Sequence, residues 1–113
     1  MSPQRLGQHF LEDRSVIDAI IEAADLRPED TVVEVGPGRG ALTSDLVERA
    51  GRVLLLEFDE DLADRLAFKY ESNHNVRVLN VDARDFGSDL DPWLVDSDYK
   101  VVANLPYYAA NPI

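Results

Sequence analysis

Apolar residues recur along the chain at two periods, and the switches between them predict the elements. Val16, Ile17, Ile20, Ile21 and Ala24 share a helical face, with Asp13 or Ser15 as a cap and Pro28 beyond, predicting a helix over about 15 to 25. Thr31 to Val35 is a β-rich run closed by Gly36-Pro37-Gly38-Arg39-Gly40, and Leu42, Leu46, Val47 and Ala50 then resume the helical period until Gly51 stops it. Val53 to Leu56 is continuously apolar, the pattern of a strand buried on both faces. Glu57 follows it, and the acidic turn Asp59, Glu60, Asp61 opens another helix through Tyr70. Val76 to Val81 predicts a third strand ending in Asp82, and a short helix near Pro92 to Val95 follows. Tyr99 to Ala103 predicts a fourth strand, running into Asn104-Leu105-Pro106-Tyr107-Tyr108. This alternation means an α/β fold on a parallel, Rossmann-like sheet. Such sheets bind ligands beyond the carboxyl ends of their strands. The informative loops are therefore 36 to 40, 57 to 59, 82 to 85 and 104 to 107.

Composition narrows the class. The chain has 113 residues, 45% of them apolar and 29% charged, which suits one globular unit and excludes disordered or fibrous chains. No repeat or Pro/Gly/Ser linker divides it. The longest apolar runs, such as Val53 to Leu56, fall far short of the ~20 residues that a membrane helix needs. Met1 to Phe10 carries no apolar core of a secretory signal, so a cytoplasmic location is expected. There is no cysteine, and His9 and His74, the only histidines, give no metal-ligand spacing, so no metal is expected. A net charge of −11 argues against a nucleic-acid surface, because phosphate neutralisation needs basic residues.

Each loop has candidate chemistry. Glycines at 36, 38 and 40 between a strand and a helix permit a sharp turn and close approach of a ligand to the backbone. Their G-x-G-x-G spacing misplaces the third glycine for packing under a pyrophosphate, which disfavours a dinucleotide and a nicotinamide oxidoreductase. Glu57, at the end of the second strand, can accept two hydrogen bonds from ribose hydroxyls; a solvated helix-start acid is the bland alternative. Asp82 can accept from an adenine exocyclic amine, or can cap the turn near Asp85. Asn104-Leu105-Pro106-Tyr107 is the sharpest signal. The exocyclic amine of adenine is a poor nucleophile because its lone pair is delocalised into the ring. An Asn side-chain oxygen and a nearby backbone carbonyl can accept both of its hydrogens and aim the localised lone pair at an electrophile. Pro106 stiffens that carbonyl, and Tyr107 offers a face on which an unstacked base can lie. A proline turn with two partly buried tyrosines is the plain structural alternative.

Taken together, Gly7-Gln8-His9-Phe10-Leu11, Glu34-Val35-Gly36-Pro37-Gly38-Arg39-Gly40-Ala41-Leu42-Thr43, Glu57, Asp82-Ala83 and Asn104-Leu105-Pro106-Tyr107 resemble the ribosomal RNA adenine N6-dimethyltransferases of the KsgA type. The resemblance runs from Gly7 to Ile113. It implies a class I methyltransferase fold with sheet order 3-2-1-4 and flanking helices, and S-adenosylmethionine as methyl donor. Gln8, His9 and Leu11 would stand near the methionine end, Gly36 and Gly38 against the donor's backbone, Glu57 on the ribose, and Asp82 and Ala83 at the adenine. Asn104 through Tyr107 would hold the target base, with Asn104 also bordering the donor. The donor has no phosphate, so the shifted glycine spacing is tolerable, and its cationic sulfonium suits an acidic pocket containing Glu34 and Glu57. The implied partner is the RNA of the small ribosomal subunit, with no membrane.

The departure is length. Members of the family continue through further strands and a helical RNA-holding domain, so the chain reads as a truncated, N-terminal part of the methyltransferase domain. By itself it is expected to bind donor weakly, to be inactive, and to self-associate through its exposed fourth strand. Two rival readings remain, an N6-adenine DNA methyltransferase and a non-enzymatic RNA-binding or assembly protein on the same fold.

Overall fold

The computed structural model describes residues 13–87, 89, 91–95 and 98–103. Helix α1 (Arg14–Ala24) starts at Asp13, whose carboxylate accepts from the Ser15 N–H at 2.9 Å and from its hydroxyl at 2.6 Å. Of the two candidate caps, Asp13 is the cap and Ser15 its partner. Strand β1 (Thr31–Val35), helix α2 (Thr43–Arg49), strand β2 (Arg52–Leu56), helix α3 (Glu60–Lys69), strand β3 (Val76–Leu79) and strand β4 (Lys100–Ala103) follow. Single 3-10 turns at Ala83–Asp85 and Pro92–Leu94 lie between β3 and β4.

All pairings are parallel and the strand order is β3-β2-β1-β4. Val35 stands opposite Leu56 and Ala103, and Leu56 opposite Leu79, so the four strands end along one line. That line is the edge from which the candidate loops depart. On one face, Val32, Val53, Leu55 and Val102 pack with Ile17, Ile21, Leu46, Leu66 and Tyr70 of the helical side. On the other, Val33, Leu54 and Leu56 pack with Leu94, flanked by Phe86, Trp93 and Tyr99. Every residue of Val53–Leu56 is 2% exposed or less, as its unbroken apolar run predicts.

The third strand is shorter than its run of Val76 to Val81 predicts. It stops at Leu79, opposite the last residue of β2. Beyond that point the Asn80 side-chain amide donates to the carbonyls of Glu57 and Phe58, at 3.0 and 2.9 Å, and replaces a continued ladder. Asp82 therefore stands three residues past the strand rather than at its end. The fourth strand starts at Lys100, one residue later than expected.

One ion pair and one lysine ammonium tie α1 to the rest. Arg14 bridges Asp18 in its own helix and Asp45 of α2. Lys100 Nζ donates to the carbonyls of Ala24 and Asp25, both at 2.8 Å, and meets Asp30 at 3.1 Å. It thus satisfies the free carbonyls at the end of α1, where the helix dipole favours a cation.

Candidate functional site

The loop after β1 begins as an extension of the sheet, for the Gly36 N–H donates to Leu56 O at 2.9 Å. Gly36 and Gly38 then take φ of 70° and 59°, which side-chain-bearing residues adopt at a cost. A Cβ at Gly38 would meet nothing within 4 Å, so this peptide faces open space that a ligand can fill.

Glu57 supports the loop from below. Its carboxylate accepts from the Gly38 N–H at 2.9 Å through Oε1 and from the Asp59 N–H at 3.0 Å through Oε2, and the residue is 7% exposed. Glu57 is thus a buried joint between two loops, while Asp59 caps α3 by accepting from the Leu62 N–H. Phe58, 71% exposed, projects from the same corner. Asn80, which holds the carbonyls of Glu57 and Phe58, was not singled out by the sequence. Its only signal is an amide residue just past a strand end.

Glu34 lies at the root of the loop and is 1% exposed. Its carboxylate accepts from the Thr43 hydroxyl at 2.5 Å, so the residues flanking the glycine loop are clasped together. Burial pushes the Glu34 carboxyl from 4.5 up to about 7; the Thr43 hydrogen bond opposes this and the Glu57 charge adds to it. Glu34 is therefore not a fixed charge at neutral pH. Among the described residues the buried Tyr70 hydroxyl has no hydrogen-bond partner, and burial and Glu34 both raise its pKa. Thr43, too, was missed as a positioning residue, although it follows the loop at helix-start position.

Asp82 behaves as the cap that the sequence left open. It accepts from the Arg84 N–H at 2.9 Å and pairs with the Arg84 guanidinium at 2.6 Å, and these bonds hold its carboxyl below the usual range. Ala83 opens the same turn. Asp82 and Ala83 stand along the β3 end of the edge, and among the described residues the Asp82 carboxylate bonds to Arg84 rather than to the Glu57 corner. Beside the loop, Glu34, Gly38, Ala41, Leu42, Asp59 and Leu62 help to line a cavity of about 300 Å³. The structure thus brings Glu34, Gly36, Gly38 and Glu57 together. Gln8, His9, Leu11, Asn104, Leu105, Pro106 and Tyr107 lie outside the described residues.

The family model for ribosomal RNA adenine dimethylase matches residues 2–113. The chain belongs to this family. A curated relative, the ribosomal RNA small subunit methyltransferase A of Dehalococcoides mccartyi (strain CBDB1), is 45% identical over 108 residues, which are 96% of this chain and 37% of that protein. The chain therefore spans well under half the length of this relative. Among solved structures, the 23S rRNA methyltransferase ErmE superposes with a TM-score of 0.68 at 36% identity, over 80% of this chain and 35% of ErmE. A dimethyladenosine transferase from Plasmodium falciparum superposes with a TM-score of 0.67 at 28% identity, over 89% of this chain and 35% of that one. The dimethylase fold is thus the class I methyltransferase sheet expected from the motifs, with its strand order of β3-β2-β1-β4. No helix among the described residues is long and apolar enough to cross a membrane.

The state of Glu34 is testable in this chain. Its folded carboxyl binds the proton more tightly than an unfolded one, so it costs no stability below about pH 4.5. The cost grows as pH rises and is complete above about 7. Glu34→Gln keeps an acceptor for Thr43 and cannot ionise. Its Tm relative to wild type should rise from about pH 5 to about pH 8 in parallel melting curves. A constant difference would mean that Glu34 titrates as an exposed acid.

Proposed function

We propose that the chain is the donor-binding part of an S-adenosylmethionine-dependent enzyme that dimethylates N6 of adenosines in small-subunit ribosomal RNA. The Glu57 carboxylate carries this reading. It is buried and aimed by two backbone N–H groups, at 2.9 and 3.0 Å, which use two of the roughly four acceptor positions of a carboxylate. The remaining positions suit the two hydroxyls of a ribose. The open space at Gly38 admits a ligand against the loop, and a donor without phosphate makes no demand for a third glycine under a pyrophosphate.

When bound, S-adenosylmethionine supplies an electrophilic methyl group on a sulfonium. The chain's own residues orient the two partners. Glu57 fixes the ribose, Gly36 and Gly38 allow close approach, and Gln8, His9 and Leu11 take the methionine end. Asp82 and Ala83 take the adenine, with the Arg84 pair as the competitor that the ligand must displace. Glu34 adds negative potential to the extent that the cationic donor draws off its proton. Asn104 and a neighbouring carbonyl accept the two amine hydrogens of the target base, Pro106 keeps that carbonyl in place, and Tyr107 stacks on the ring. The product nitrogen loses its proton to solvent, and a second transfer follows exchange at the donor site. The work is done in the cytoplasm and on the small ribosomal subunit. The greater length of the curated relatives leaves room for the further strands and RNA-holding domain that the motifs imply.

Glu57→Ala removes two charge-assisted hydrogen bonds, together about 2–4 kcal/mol, or roughly 30- to 1,000-fold in affinity. Calorimetry with S-adenosylhomocysteine should read that loss, and equal affinity would remove Glu57 from the ribose. In the complete enzyme, Asn104→Ala should abolish methyl transfer to undermethylated small subunits while donor affinity stays within about twofold. If both fell together, Asn104 would belong to the donor site instead. Among the described residues β4 lies at the edge of the sheet with Val101 54% exposed, so the chain alone should self-associate at micromolar concentration in sedimentation. A clean monomer would refute pairing through β4.

A further inference from the structure

The distribution of uncommitted positive charge is uneven. Among the described residues, Arg14, Arg27, Arg77, Arg84 and Lys100 are held in ion pairs. Arg52 is engaged by the Thr31 hydroxyl and stacks over Trp93. Arg39, Arg49, Arg65 and Lys69 make no ion pair with described residues, and Lys69 only overlies the Tyr70 ring at 5.4 Å. Three of these four converge. Arg39, at the tip of the glycine loop, and Arg65 and Lys69, one turn apart on α3, line a single concavity of about 240 Å³ with Gly38, Leu62 and Leu66. No acid stands among these described lining residues. Arg49 lies elsewhere, in a concavity shared with Asp18, Glu22 and Asp25.

This grouping is not what stability alone would select. Like charges at the i, i+4 spacing of Arg65 and Lys69 cost an isolated helix about 0.2–0.5 kcal/mol. Asp61, one turn before Arg65, is well placed to pair with it, yet no ion pair forms among the described residues. Arg39 and Arg65 also border the neighbouring cavity that holds Glu34, Asp59 and Asp61, and form no ion pair with described residues there either. Lys69 alone has a helix-dipole reason for its position, in the last turn of α3. The donor proposed above carries no phosphate and has no use for three cations.

We propose that Arg39, Arg65 and Lys69 form a cradle for a phosphodiester group of the RNA, gripping the substrate beside the donor loop. The proposal rests on the RNA-methylating function argued above and adds a contact surface within this chain, where the overall charge of −11 gives no sign of one. Guanidinium forks suit the paired oxygens of a phosphate, and the floor of Leu62 and Leu66 offers no competing hydrogen bond.

The test is binding of a short hairpin RNA with adenosines in its loop, measured by fluorescence anisotropy across a salt series. Arg65→Ala/Lys69→Ala should weaken binding about tenfold or more at low salt. It should also make the log–log salt slope shallower by about 2, one unit for each cation removed from the phosphate. Arg49→Ala, the cation outside the cradle, should leave both unchanged. Competing AMP separates an RNA grip from a site for free phosphate: the cradle as proposed resists millimolar AMP, and displacement by it would overturn the RNA assignment. Equal losses in the Arg49 variant, an unchanged slope in the double variant, or no RNA binding by the wild type would each overturn the cradle. S-adenosylhomocysteine affinity is read in parallel. Its absence from the wild type would defeat the donor reading instead, and retained affinity in the double variant shows that the protein is folded.

Discussion

The hydrogen bond from the Gly38 N–H to the Glu57 carboxylate joins the two central strands at the edge where the chemistry is placed. β1 and β2 pair along their full length, but a pairing ends with its strands, and the loops beyond them must be held by other means. Glu57 does this with one side chain, fixing the glycine loop through Oε1 and the start of α3 through Oε2. Gly36 to Leu56 and Asn80 to Glu57 and Phe58 brace the same corner from either side. A buried carboxylate is tolerable here because each oxygen has a directed donor, and it remains useful because neither oxygen is saturated.

The two carboxylates nearest the loop divide the work by environment. Glu57 faces backbone donors at the edge, whereas Glu34 is sealed at the root with the Thr43 hydroxyl for a partner and shifts toward neutrality. One braces two loops, and the other is a clasp whose charge follows pH. Two like charges side by side in a dry corner would repel, and the shift of Glu34 relieves that.

Much of the architecture was legible because its residues are forced. Val53–Leu56 admits only a strand covered on both faces, and the succession of glycines, Gly51 included, punctuates the elements at the right places. The end of β3 was not legible, because Val81 extends a valine-rich stretch past the last residue of its partner β2. A strand lasts only as long as its partner. Asp82 was ambiguous for the reason that any aspartate beyond a strand is: the same carboxylate can cap a turn or meet a ligand, and its Arg84 pair lies too near in sequence for a pattern to reveal. Asn80, Thr43 and the grouping of Arg39 with Arg65 and Lys69 depend on how α2 and α3 pack beside the loop, which no period in the chain records.

The Lys100 ammonium, set against the last carbonyls of α1, couples two distant parts of the sequence as well as capping a helix. It joins residues 76 and 75 positions apart, a long reach for a side-chain hydrogen bond in a chain of this size. Without β4 beside β1, the end of α1 has no such cap, and without α1 the Lys100 ammonium lacks these two acceptors. The final turn of the first helix therefore gains this carbonyl partner only where β4 is docked. Elements at opposite ends of the sequence are thereby made to mature, and to come apart, as one unit.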